Sequence, residues 1–235
     1  MMPRFIVLEG LDGSGKSTQI SLLSQHMSSL GLAHITTREP SDGAIGTLVR
    51  KSLSHNPLEN ETLALLFAAD RYQHVHDVVT PALCQGKHVL CDRFYYSNLA
   101  YQAQGPESIA RIMAYNQVIM TRRRPDAVFF LDVNPEECME RIAARNQETT
   151  LYENITRLQK DRARFLCGFE KMNDNITILD CNSKSETQVF EELWRQIENI
   201  ERQSRNRKTG NRQCGRGRRS CHDSRRFICL SKLCR

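Results

Sequence analysis

Residues 5–19 read FIVLEGLDGSGKSTQ. An apolar run from Phe5 to Leu8 meets Glu9 and then a glycine-rich loop that ends in Lys16, Ser17 and Thr18. Gly10 to Ser17 matches G-x-x-x-x-G-K-[ST] in full, and it follows a strand-like run and opens a helical one, as the motif requires. Glycines let the backbone curl so that consecutive N–H groups point inward, and the helix N-terminus adds the positive end of its dipole. In such a loop Lys16 reaches the β- and γ-phosphates and Ser17 is placed to hold Mg²⁺. Gly10, Leu11, Asp12, Gly13, Ser14, Gly15, Lys16, Ser17 and Thr18 are therefore the candidate cradle of a nucleoside triphosphate, read as ATP with Mg²⁺. The loop alone does not separate a kinase from a GTPase or a motor ATPase.

Moving outward, short apolar runs recur at long intervals: FIVLE (5–9), AHITT (33–37), HVLCD (88–92), AVFFLDV (127–133) and ITILD (176–180). None alternates cleanly between apolar and polar residues, so both faces of the sheet are expected to be covered. Helical spacing separates them, over 16–30, 60–79, 106–121, 135–145, 154–172 and 185–203. Gly31 is placed to stop the first of these helices, and Pro81 stands just past the second. Strand and helix alternating along the chain predict an α/β fold with a parallel sheet wrapped by helices. Ligands in such sheets bind at the carboxyl ends of the strands.

The chain has 235 residues, 40% hydrophobic and 26% charged, enough for one globular domain with a sizeable core. No apolar run approaches the roughly 20 residues of a membrane span, and the first strand begins too early to leave room for a signal peptide. Nine cysteines are scattered, and those in contexts such as HVLCD read as small hydrophobes. These features predict a reducing, cytoplasmic location without structural disulfides. The net charge of +6 is unevenly placed: residues 204–235 carry eleven Lys or Arg and one acid, which leaves residues 1–203 at −4.

Three further segments carry chemistry. TTREPSDG follows the second strand, where Arg38 either forks onto a second phosphate or is a solvated surface arginine. CDRFYYSNLAYQ follows the third strand, with Asp92 where an acid orients Mg²⁺ or its waters and Arg93 beside it; a plain surface ion pair is the alternative. LALLFAADRYQHV is helical, and Phe67 and Arg71 are four residues apart on one face. That pair either stacks on a base and bonds to its edge, or is a core phenylalanine beside an arginine whose head reaches solvent.

Together these segments resemble the thymidylate kinase (dTMP kinase) family of P-loop nucleoside monophosphate kinases. FIVLEGLDGSGKSTQ, TREP, LLFAADRYQHV, DRFYYSNLAYQ and PDAVFFLDV follow in family order from Arg4 to about Gln203. The resemblance implies a P-loop kinase fold with a five-stranded parallel sheet and a short lid at about 141–154. It implies transfer of the ATP γ-phosphate to dTMP, giving dTDP and ADP, by a homodimer. It also implies roles: Asp12 near the acceptor phosphate and sugar, Arg38 on the dTMP phosphate, Phe67 stacked on thymine, and Arg71 on the thymine edge. By the same resemblance Arg93 bridges the phosphates, Ser17 and Asp92 belong to the Mg²⁺ shell, Ser97 and Gln102 line the base, Tyr101 closes on the sugar, and Tyr152 lies near the nucleotide. Kinases for another pyrimidine nucleotide or nucleoside share the fold and remain an alternative.

The family carries one more catalytic arginine, in the P-loop or in the lid. Gly13 occupies the P-loop position, which assigns the role to the lid, with Arg145 as the candidate. Arg141 reads as belonging to the preceding helix; Arg157 and Lys160, on the next one, either substitute for the lid arginine or are plain surface charges. The basic run TRRRPD (121–126) reads as a helix end, where cations favour the dipole. Residues 204–235 have no counterpart in the family and are expected to be a disordered, basic, Cys- and Arg-rich tail. Its cysteine spacing lacks the close pair of a zinc site, and nucleic acid is a possible partner only through this tail.

Overall fold

The computed structural model describes residues 2–54, 58–144 and 151–213; the side chains of 106, 151–154 and 204–213 lie outside the description. Five strands form one parallel sheet: β1 (Phe5–Gly10), β2 (His34–Arg38), β3 (His88–Asp92), β4 (Ala127–Asp132) and β5 (Ile176–Asp180), in the spatial order β2-β3-β1-β4-β5. The helices are α1 (Lys16–Ser29), α2 (Ala44–Ser54), α3 (Asn60–His74), α4 (Thr80–Cys84), α5 (Tyr95–Gln102), α6 (Pro106–Arg122), α7 (Pro135–Ala143), α8 (Leu151–Glu170) and α9 (Glu186–Gln213). By its contacts the chain divides into two units, 1–196 and 197–235. The first holds the sheet; the described part of the second is the end of α9.

β1 is buried at every residue because it is the central strand, flanked by β3 and β4. β2 and β5 are the edges and are only half covered. The register brings Leu8 level with Asp92 and Asp92 level with Arg38, so three strand ends emerge at one height. Glu39 N–H continues that ladder to the Asp92 carbonyl at 2.9 Å, and Arg93 N–H bonds the Leu8 carbonyl at 2.9 Å. The core between sheet and α8 is aromatic: Phe130, Phe165 and Phe169 lie with ring centroids 5.1–6.0 Å apart.

All five strands fall where the apolar runs place them. α1 ends as expected: Gly31, at φ +66°, reverses the chain while its N–H bonds the Ser28 carbonyl at 3.0 Å. Three features differ from the sequence expectation. α2 is an additional helix over residues to which no element was assigned from sequence. The second predicted helix does not run uniformly to Val79: it opens into a π-helical turn at Val75–Val79, then continues as α4 past Pro81. Pro81 sits in the first turn of α4, where a missing N–H costs little. Finally, α9 continues to Gln213, so the expected boundary at 203 falls inside a helix; residues 214–235 lie outside the described residues.

Candidate functional site

The loop after β1 is walled on one side by α7. Gly13 has φ +82°, and a Cβ there would lie 2.5 Å from the carbonyl oxygen of Cys138. Lys16, opening α1, folds its ammonium across the loop, donating to the carbonyls of Gly10 at 2.9 Å and Leu11 at 2.6 Å. Burial, followed by the like charge of Arg93, pushes its pKa down to about 8. Ser17 donates to Asp92 Oδ2 at 3.2 Å, while Asp92 Oδ1 is buried without a hydrogen-bond partner. An orphaned carboxylate oxygen beside the loop hydroxyl suits Mg²⁺ or one of its waters. Among the described residues no group of three or more His, Cys, Asp or Glu could hold a metal alone, so such an ion would share its ligands with phosphate oxygens.

A cavity of about 380 Å³ adjoins the loop, lined by Gly13, Gly15 and Thr18, by Arg141 of α7, and by Cys181 and Lys184 after β5. Arg141 Nη1 lies 3.4 Å from the Gly13 carbonyl and Nη2 2.5 Å from Glu137. It lies on α7, a helix as expected, and its guanidinium reaches the P-loop. The sequence reading gave the residues after β5 no role; they follow a strand end, and that was the available signal.

At the end of β3, Arg93 takes a left-handed backbone, φ +71°, unusual for a side chain other than glycine. Its guanidinium joins three expected residues: Nη2 to Asp12 at 2.5 Å, Nη1 to Tyr101 Oη at 3.0 Å and to Ser97 Oγ at 3.2 Å. It also sits 5.2 Å from the centre of the Tyr101 ring. Burial raises the pKa of the Tyr101 hydroxyl, so it stays a neutral hydrogen-bonding group. Ser97 donates in turn to Glu9 Oε2 at 2.7 Å. The sequence reading missed Glu9, although a lone acid in an apolar strand requires a partner.

The segment bearing Arg38 is clamped to α3. Glu39 accepts from Arg71 Nε at 2.7 Å and pairs with His74 Nδ1 at 3.1 Å. Asp70 accepts from Ser41 N–H at 2.7 Å and from its hydroxyl at 2.5 Å. Arg50 of α2 donates to the carbonyls of Pro40 at 2.9 Å and Ser41 at 2.5 Å. Arg38 itself is exposed, with Asp42 3.2 Å away. Arg71 does not send its head to solvent: it is 1% exposed and bonds Asn116 at 2.5 Å and Asn98 at 3.4 Å. Asn98 donates to Gln102 at 3.1 Å. Among the described residues, Arg71 Nη2 alone of its nitrogens makes no hydrogen bond. Phe67, one turn earlier, is half-buried.

Arg145 lies outside the described residues, as does the Tyr152 side chain. Arg157 and Lys160 are exposed on α8, and Arg157 faces Asp161 at 3.8 Å. The 121–126 run is taken up locally: Arg124 bonds the Met120 carbonyl at 2.8 Å and Asp174 at 2.8 Å, and Arg122 bonds Tyr72 at 2.8 Å. It ends α6, as expected.

A glycine loop on the central strand, an acid on the adjacent strand and cations at both strand ends define a P-loop nucleotide-binding protein of the kinase type. The Thymidylate kinase family model matches residues 8–193. The chain is 38% identical over 191 residues to the "Probable thymidylate kinase" of Thermococcus gammatolerans, covering 77% of this chain and 90% of that protein. It is 37% identical over 192 residues to the thymidylate kinase of Thermosipho africanus, covering 80% and 94%. The chain belongs to the thymidylate kinase family.

Proposed function

We propose that this chain transfers the γ-phosphate of Mg²⁺-ATP to dTMP, giving dTDP and ADP, as a cytoplasmic homodimer. Family membership carries the reaction; the Phe67–Arg71 pair carries the acceptor. A half-buried ring lies one helical turn from a guanidinium fixed by Glu39 and two asparagines, with Nη2 left to bond a carbonyl on a base edge. Phe67 stacks on thymine, Arg71 bonds its edge, and Gln102, reached through Asn98, lines the base. Tyr101 closes on the sugar beside Asp12, and Tyr152 belongs near the nucleotide.

A dTMP phosphate oxygen attacks the γ-phosphorus, and the bond to the β,γ-bridging oxygen breaks as ADP leaves. No general base is needed, because that oxygen is already a nucleophile; catalysis is positioning and charge neutralisation. Lys16 holds the donor phosphates, Arg38 the acceptor phosphate, and Arg93 both. Ser17 and Asp92 would hold Mg²⁺, which would supply further charge neutralisation. The ATP base enters the cavity next to Arg141, and Arg145 remains the lid arginine of this proposal. Exposed Leu65 and Tyr72 on α3 and Val118 on α6 offer an apolar face for a second copy.

Phe67→Ala tests the acceptor assignment. It is expected to raise KM for dTMP at least about tenfold, the value of one stacked base, with KM for ATP unchanged. Equal effects on both substrates would make Phe67 a packing residue.

A further inference from the structure

Arg93 stands in a strained backbone conformation and yet presents its guanidinium to Asp12 of the P-loop. Such strain persists only where the surroundings over-determine it. One buried side chain supplies that constraint. Glu9 is fully buried, and its Oε1 accepts the N–H of Phe94, the residue after Arg93, at 2.7 Å, and that of Ser97 at 3.3 Å. Its Oε2 accepts the Ser97 hydroxyl at 2.7 Å, and that hydroxyl accepts Arg93 Nη1 at 3.2 Å. The preceding residue on the same strand, Leu8, receives Arg93 N–H at 2.9 Å. Strand β1 therefore grips Arg93 three times: at its own N–H, at the next N–H, and at its side chain through Ser97.

Phe94 is the N-cap of α5 and has no side-chain capping bond, so the Glu9 carboxylate also serves as the anion at that helix N-terminus. We propose that Glu9 is a positioning residue for phosphoryl transfer, acting through Ser97 and the Phe94 N–H to hold the Arg93 guanidinium against the P-loop. Glu9 immediately precedes Gly10, so one residue sets the donor loop and the bridging arginine in a common frame. This inference rests on the reading of Arg93 as the group that bridges the phosphates.

Glu9→Gln removes the charge and turns an N–H toward the Ser97 hydroxyl. Ser97→Ala, a smaller change that leaves Glu9 in place, removes the bridge. Both are compared with the wild type, and each is combined with Arg93→Ala, by ADP release with Mg²⁺-ATP and dTMP; thermal unfolding confirms a folded chain. Each single variant is expected to lower kcat about tenfold or more with KM for both substrates within about threefold. Neither is expected to lower kcat further once Arg93 is alanine, since the effect runs through that side chain. Wild-type kcat in both variants, with Arg93→Ala impaired, would overturn the inference. So would a further loss in the Arg93→Ala background, which would route the effect through Lys16. An Arg93→Ala variant with full kcat would overturn the reading of Arg93 itself.

Discussion

The carbonyl oxygen of Cys138 lies 2.5 Å from where a Cβ on Gly13 would stand. The obstacle is main chain in the first turn of α7, and Gly13 is also at φ +82°. The P-loop therefore has no room for a side chain at the position where part of the family carries its arginine. Gly13→Ala should lower kcat about tenfold or more, because the loop or α7 must shift and phosphate positioning tolerates little displacement. Gly13→Arg should be no more active than Gly13→Ala. Steady-state kinetics on the two variants check this; a gain with arginine would show that α7 yields.

The Glu39–Arg71 pair is buried on both sides, so removing one charge strands the other. Glu39→Gln should destabilise the fold by about 3 kcal/mol and raise KM for dTMP more than KM for ATP. Denaturant unfolding and steady-state kinetics read the two effects. A stability loss without a dTMP effect would confine the pair to folding.

Much of the architecture was legible in the sequence. The strands are continuous apolar runs closed by turn signals, and the P-loop is a local pattern of eight residues, so neither depends on distant partners. What was not legible is non-local. Nothing near Arg71 in the chain names Glu39, 32 residues away, as its partner. Ser97 reads as part of the base wall, but its hydroxyl is engaged by Glu9 and Arg93, groups that meet only when β1 and β3 align. The π-helical turn was hidden because Pro81 looked like a stop and the register shift before it leaves no compositional mark.

Burial pushes the Glu9 carboxyl up to about 7, against the opposing pull of the Ser97 hydroxyl and the Arg93 charge. In the unfolded chain the same group titrates near 4.5. Between these values the folded protein holds a proton that the unfolded chain has released, so this group makes stability fall as pH rises from about 4.5 to about 7. Unfolding measured across that window should show Glu9→Gln losing less stability with rising pH than the wild type. Parallel curves would mean that Glu9 titrates normally in the fold.

The identity of the acceptor decides what this enzyme does. ADP release should be measured with Mg²⁺-ATP against dTMP, dUMP, dCMP, AMP and thymidine, on the full chain. kcat/KM for dTMP is expected well above that for every other acceptor, with loss of that turnover in Lys16→Ala. Equal or better use of dUMP, dCMP, AMP or thymidine, or turnover that survives Lys16→Ala, would overturn the assignment.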